Sequence, residues 1–409
     1  MLAAAVWLGL SVSALAKDLL TVTVSVAGGP SATSTFPDAD ALINAIDSAG
    51  YKSINPAYTV TSAATIDVNF RGVTANVIYP AGGATLDFFI PEIQTAPLFT
   101  GTAGTRAANE RALETFLRTN QSRLLSLLLQ RAVKATPHDP VAGTPGSLMA
   151  RMTEADFIMG TTIGPDPSSV ATTGQGYDRT RSTIGLNARF GHFTAAGAQA
   201  DVIDLPLNYT VPLDDPRYAI SFDLPLTYVE TEGKASYSGS FGIGVRLPLY
   251  DNWTLTPAIR AGLVGSVDLG SAAVLGSVSL NSNYRFSYSG LDFSLGNSVA
   301  YIQTFPVEID GTKFDYDQRN LVLRNGLGVS GPTGFKLFGQ DTTWQVTVVN
   351  TQFLIDPVYA RDVTDIAFSV GTVNSINGFT WDSVRIGLTY SFSTDSDLQG
   401  LRLNFGYRF

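Results

Sequence analysis

Over residues 180 to 409 the chain repeatedly alternates large apolar residues with small or polar ones. In the final stretch Leu401, Leu403, Phe405, Tyr407 and Phe409 share one parity, and Arg402, Asn404, Gly406 and Arg408 share the other. Val384, Ile386, Leu388, Tyr390 and Phe392 alternate with Arg385, Gly387, Thr389 and Ser391 in the same way. Further runs begin near Ile184, Ile203, Tyr218, Tyr237, Trp253, Val278, Leu291, Leu321, Trp344 and Ile366. A period of two marks β-strands. A soluble sandwich would also alternate, but its outward face would carry Lys, Glu and Thr on strands of about 5–6 residues. The clean runs here are about 9–12 residues, the length a tilted strand needs to cross a bilayer. Wholly apolar on one side and Arg, Asn, Ser and Gly on the other, they fit lipid outside and water inside. The fold class expected is therefore all-β membrane protein: an antiparallel transmembrane β-barrel of about 12 strands over residues 161–409.

Composition is consistent with that expectation. Charged residues make up 15% of the chain, and no apolar run reaches the roughly 18 residues of a spanning helix. Tyr218, Tyr228, Tyr237, Tyr250, Trp253, Tyr288, Tyr301, Trp344 and Trp381 fall at strand ends, where aromatic girdles meet the lipid–water boundary. The absence of Cys excludes thiol catalysis and Cys–metal sites, and suits passage through an oxidising periplasm.

The region before the barrel has three expected parts. Residues 1–16 carry the apolar core of a secretory signal, with a small-residue site cleaved after Ala16. Residues 17–104 read as a small β-rich domain, periplasmic or surface-exposed. Its expected strands are 21–26, 64–69, 73–80 and 84–93, with a helix within 37–49. Residues 105–160 comprise an amphipathic helix and a linker. Leu113, Phe116, Leu117, Leu124, Leu127 and Leu128 form one helical face over 105–135, and Pro137 ends the helix. About 30 residues of helix would span roughly 45 Å.

Signal, N-terminal region, amphipathic helix and a terminal barrel of about twelve strands, in that order, resemble the translocators of autotransporters (type V secretion). The resemblance covers residues 105–409. It implies a helix in the lumen ahead of the first strand, and recognition of Tyr407 and Phe409 by the barrel-assembly machinery of a Gram-negative outer membrane. The chain departs from that family in having little passenger, and no Asn-Asn pair occurs in the helical segment, so self-cleavage is not implied.

Candidate chemistry lies in the lumen. The inward parity carries Arg189, Arg246, Arg260, Arg285, Arg324, Arg385, Arg402 and Arg408, with Asp204, Asp223, Asp292 and Asp365. These arginines could select anions in a pore, or could pair with the aspartates to brace a narrow barrel. The 105–135 helix is itself basic (Arg106, Arg111, Arg118, Arg123, Arg131, Lys134), which opposes its placement in a basic lumen unless the inward Asp side chains gather opposite it. The alternative is a helix outside the lumen.

An enzyme is not expected. His192 precedes the hydroxyl of Thr194 on one strand face, but no orienting group or oxyanion site is visible. His138 reads as a loop residue, and two histidines make a zinc site improbable. Gly242 and Gly244 make room on the inward face and are not a nucleotide fingerprint. No catalytic, cofactor or metal residue is assigned, and a net charge of −9 argues against nucleic acid. Loop acids such as Asp214, Asp215, Asp310 and Asp397 could bridge cations to lipopolysaccharide, or simply solvate turns. The expected partners are outer-membrane lipid and lipopolysaccharide around a monomer. Three roles stay open: anchoring or exporting the short N-terminal region, an anion-leaning pore with a helix plug, or a structural barrel without transport.

Overall fold

A computed structural model describes residues 19–161, 163, 182–309, 311–337, 339–372 and 383–408. The signal segment 1–16 with its cleavage site, the Asp310 and Asn377-Gly378 turn positions, Trp381, Phe409 and the Arg408 side chain lie outside them.

The N-terminal region is a six-stranded sheet. Its strands are β1 (Leu20–Val26), β2 (Ser31–Thr35), β3 (Ala64–Phe70), β4 (Val73–Tyr79), β5 (Leu86–Ile90) and β6 (Gln94–Gly101), in the order β2-β1-β3-β4-β5-β6. Leu20, Val22, Val24, Ile66, Val68, Val77, Leu86 and Phe88 turn to one buried face, as period-two alternation requires. Thr21, Thr23, Thr65 and Asp67 take the other parity. Two short helices, α1 (Ala39–Asn44) and α2 (Ser48–Ile54), replace the single helix expected within 37–49. Asp38 and Asp47 each accept a backbone N–H at a helix start, at 2.7 and 2.6 Å, which is why the turn divides there.

The amphipathic segment also differs from expectation. It forms two helices, α3 (Arg106–Thr119) and α4 (Gln121–Ala135), separated at Asn120, whose side chain donates to the Phe116 carbonyl at 2.9 Å. Neither enters the barrel along its axis. Leu113, Phe116, Leu117 and Leu128 complete the core of the N-terminal sheet, while Leu129 and Val133 join a cluster at the barrel mouth. The stretch read as a linker contains a further helix, α5 (Leu148–Gly160).

Twelve strands then close a barrel: β7 (Thr183–Ala195), β8 (Ala198–Pro212), β9 (Ala219–Thr231), β10 (Lys234–Tyr250), β11 (Trp253–Ser266), β12 (Ser271–Tyr288) and β13 (Leu291–Phe305) in its first half. A small hairpin, β14 (Val307–Ile309) and β15 (Thr312–Phe314), projects before β16 (Arg319–Leu337), β17 (Gln340–Phe353), β18 (Asp362–Thr372), β19 (Ser383–Ser393) and β20 (Gln399–Arg408). Each barrel strand pairs antiparallel with its sequence neighbours. β20 pairs with β7 to complete the cylinder, Leu403 lying opposite Phe190 and Arg408 opposite Gly185.

Burial follows the parity read from the sequence. Leu401, Leu403 and Phe405 point outward and Arg402, Asn404 and Gly406 point inward; Ile386 is 48% and Phe405 41% exposed. That exposure excludes a sandwich with these residues packed between two sheets. Among the described residues no helix is long and apolar enough to cross a membrane. The strands run from 10 residues in β20 to 19 in β16, most of them longer than the clean alternating runs, because strand beyond the lipid no longer needs an apolar face. Tight turns join them at Glu232-Gly233 and Ser289-Gly290, where both residues of each pair have positive φ; a two-residue I′ hairpin demands this and glycine supplies it without strain.

Candidate functional site: the barrel lumen and its capped mouth

α5 lies inside the barrel. Leu148 and Met152 sit where a Cβ on Gly262 of β11 would be, 3.0 Å from each. Lower down, Met159 packs on Gly244 of β10, and Gly160 on Asn281 of β12. Phe157 and Ile163 fill the space left by Gly296 and Gly326. Inward glycines thus form a groove that admits a helix where side chains would exclude it. Thirteen residues give α5 a length of about 20 Å. It descends from the end of the barrel that holds the β11–β12 turn toward the opposite end.

The charges on α5 resolve the conflict seen in the sequence. Glu154 accepts from Arg402 of β20 at 3.0 Å, lies 3.4 Å from Arg189 of β7, and is bridged by Arg151 of its own helix at 2.8 Å. Asp204 of β8 continues this network, 3.2 Å from Arg189 and 3.5 Å from Arg151, and accepts the Thr227 hydroxyl at 2.7 Å. Across the lumen Asp156 accepts from Arg260 of β11, which also donates to Asp223 of β9, both at 2.8 Å. An acidic helix therefore occupies a lumen rich in arginine, and each buried charge has the partner it needs to offset desolvation.

Of the twelve lumen positions read from the sequence, Arg189, Asp204, Asp223, Arg260 and Arg402 gather in these networks. Arg324 lies 3.1 Å from Asp365, donates to Thr351 and stacks over the Phe157 ring, and Arg385 donates to Ser369 and Thr343. Arg246, Arg285 and Asp292 have the inward parity but stand apart near the uncapped end; Arg246 donates to the carbonyls of Arg217 and Pro216. Tyr407 is in β20, opposite Val384 and Leu186. Glu154, Asp156 and Arg151 were missed. The acidic pair in Met152-Thr-Glu-Ala-Asp-Phe157 was the available signal, given that the lumen demanded acids. His192 is on the outer face, its Nδ1 2.7 Å from Asp201 of β8.

The N-terminal sheet caps the mouth into which α5 enters. Arg71, in the β3–β4 turn, donates through Nη1 to the Leu269 carbonyl at 3.2 Å and to Ser271 Oγ, and pairs through Nη2 with Asp139. Lys234 of the barrel rim donates to the Phe36 and Pro37 carbonyls, and Gln130 of α4 donates to the Asp315 carbonyl at 3.3 Å. Residues 136–147 run from α4 into the lumen beneath this cap and are almost wholly buried. Ala360 N–H donates to the Gly143 carbonyl at 3.1 Å, and Tyr359 N–H to the Val133 carbonyl at 3.0 Å. His138 is in this loop, as read from the sequence, and is buried.

No protein-family model and no curated protein sequence matches the chain. Among solved structures it is similar to the β-domain of the Bordetella autotransporter BrkA, at 12% identity and a TM-score of 0.41, covering 55% of this chain and 98% of that one. The translocator domain of the autotransporter NalP from Neisseria meningitidis gives 14% identity and a TM-score of 0.43, with 64% and 96% covered. The NanC porin gives 13% and 0.34, with 54% and 98% covered. At these identities and scores the likeness assigns no role to this chain. A closed twelve-stranded antiparallel barrel, apolar outside, with a helix in its lumen ahead of the first strand, has the architecture of a transmembrane β-barrel.

Proposed function

We propose that the chain is an outer-membrane anchor that carries its own N-terminal domain to the external mouth of its barrel and holds it there as a folded cap. The observation that carries this reading is the path of the backbone, from the cap through residues 136–147 and down the lumen as α5. Orientation follows from the connections. The longest connection between barrel strands, 306–318, is at the capped end with 354–361, whereas the opposite end holds the two-residue connections 251–252, 289–290 and 338–339 beside the longer 213–218 and 373–382. Outer-membrane barrels keep short turns in the periplasm and longer loops outside. Open-pore transport is less favoured, because Arg189, Arg260, Arg324 and Arg402 are each engaged by carboxylates.

Cysteine labelling tests the reading directly, since the chain has none of its own. A Val60→Cys variant, exposed on the cap, should react with a membrane-impermeant maleimide in intact cells. Reaction only after the outer membrane is opened would overturn it.

A further inference from the structure

Two arginines flank the seam at which the barrel closes. Arg189 of β7 lies opposite Asn404, and Arg402 of β20 opposite Gly191, so the guanidinium groups are diagonal neighbours on the lumen side. Every other barrel join links successive barrel strands, β13 and β16 with only the small β14–β15 hairpin between them. The seam alone joins the first strand to the last and closes the longest loop. Forming it also brings two like charges together where the dielectric is low.

Glu154 is placed between them. One carboxylate oxygen accepts from Arg402 at 3.0 Å and the other lies 3.4 Å from Arg189. Asp204 also reaches Arg189, but from β8 on the same side of the seam. Among the described residues Glu154 is the carboxylate within ion-pair distance of Arg402. We propose that Glu154 is the positioning residue for barrel closure: α5 presents an anion to both seam strands, and the barrel closes around the helix. This rests on α5 occupying the lumen and is independent of where the N-terminal domain is displayed.

The test is refolding of the full chain into lipid vesicles with a seam reporter, Phe190→Cys with Leu403→Cys, which are direct cross-strand partners on the outer face. The time course of the seam disulfide reads closure. Glu154→Gln should slow it on the order of tenfold, the loss of one charge-assisted contact formed in the transition state. Asp156→Asn is the comparison: it removes an equally buried acid of the same helix whose partner, Arg260, is on β11. It should slow closure several-fold less. Adding Arg402→Gln to Glu154→Gln should restore much of the rate by removing the unpaired charge, and this double variant carries the test if the single one does not fold. Equal slowing by both acids, no slowing by Glu154→Gln, or no restoration in the double variant would overturn the proposal.

Discussion

Replacing Arg71 with Met removes the group that ties cap, plug segment and barrel rim together. The guanidinium donates to the Leu269 carbonyl and Ser271 of the β11–β12 turn and pairs with Asp139, and both side chains of the pair are fully buried. Met retains most of the apolar stem, so the variant deletes charge rather than volume. Asp139 keeps its backbone contact from Val141 N–H at 2.8 Å but loses its cation. Breaking one partner of a buried pair costs about 3–5 kcal/mol, and the retained backbone bond argues for the lower end. At about 1.4 kcal/mol per decade, the population with an open mouth should rise roughly a hundredfold. A single cysteine at Ala142, wholly buried beneath the cap, reports that opening through its maleimide labelling rate in detergent-solubilised full-length protein. The rate should be about a hundredfold higher with Arg71→Met than with Arg71 intact. A change below about threefold, the worth of a solvent-exposed ion pair, would refute the claim that this cluster latches the cap.

Two further outcomes follow from the same geometry. Leu403→Lys places a charge on the lipid face of β20 and should cost about 2–4 kcal/mol near the bilayer midplane, read as a lower urea midpoint for the barrel in vesicles; an unchanged midpoint would contradict a lipid-facing surface. Deleting residues 148–160 removes Glu154 and Asp156 and leaves Arg189, Arg260 and Arg402 facing an open lumen, so planar bilayers should show a larger, anion-leaning conductance. Conductance equal to that of the intact chain would show that α5 does not block the lumen.

The barrel was legible because each strand separates two solvents, and that demand is written locally, residue by residue, in runs such as Leu401 to Tyr407. The lumen helix was not. α5 is enclosed on all sides, partly by glycine and apolar wall and partly by arginine, so Leu148, Met152, Glu154 and Asp156 present no single apolar stripe. Its partners Arg260 and Arg402 lie far along the chain, where no spacing rule reaches. The 105–135 segment has a clean stripe because it rests on the surface of a sheet and a barrel mouth, and that clarity made it the candidate for the lumen. Arg71, beside Gly72, has the left-handed backbone of a turn residue, a local signal that gives no hint of its complete burial by docking of the cap.

The passage of the chain through the barrel is tested most directly by Met159→Cys with Gly244→Cys. A Cβ at Gly244 would contact the Met159 sulfur, so thiols at these positions lie within disulfide reach. With α5 in the lumen, oxidation of the double variant in isolated outer membranes should link helix to wall in the folded, heat-modifiable species. A disulfide absent from that species, or formed only after denaturation, would contradict the account.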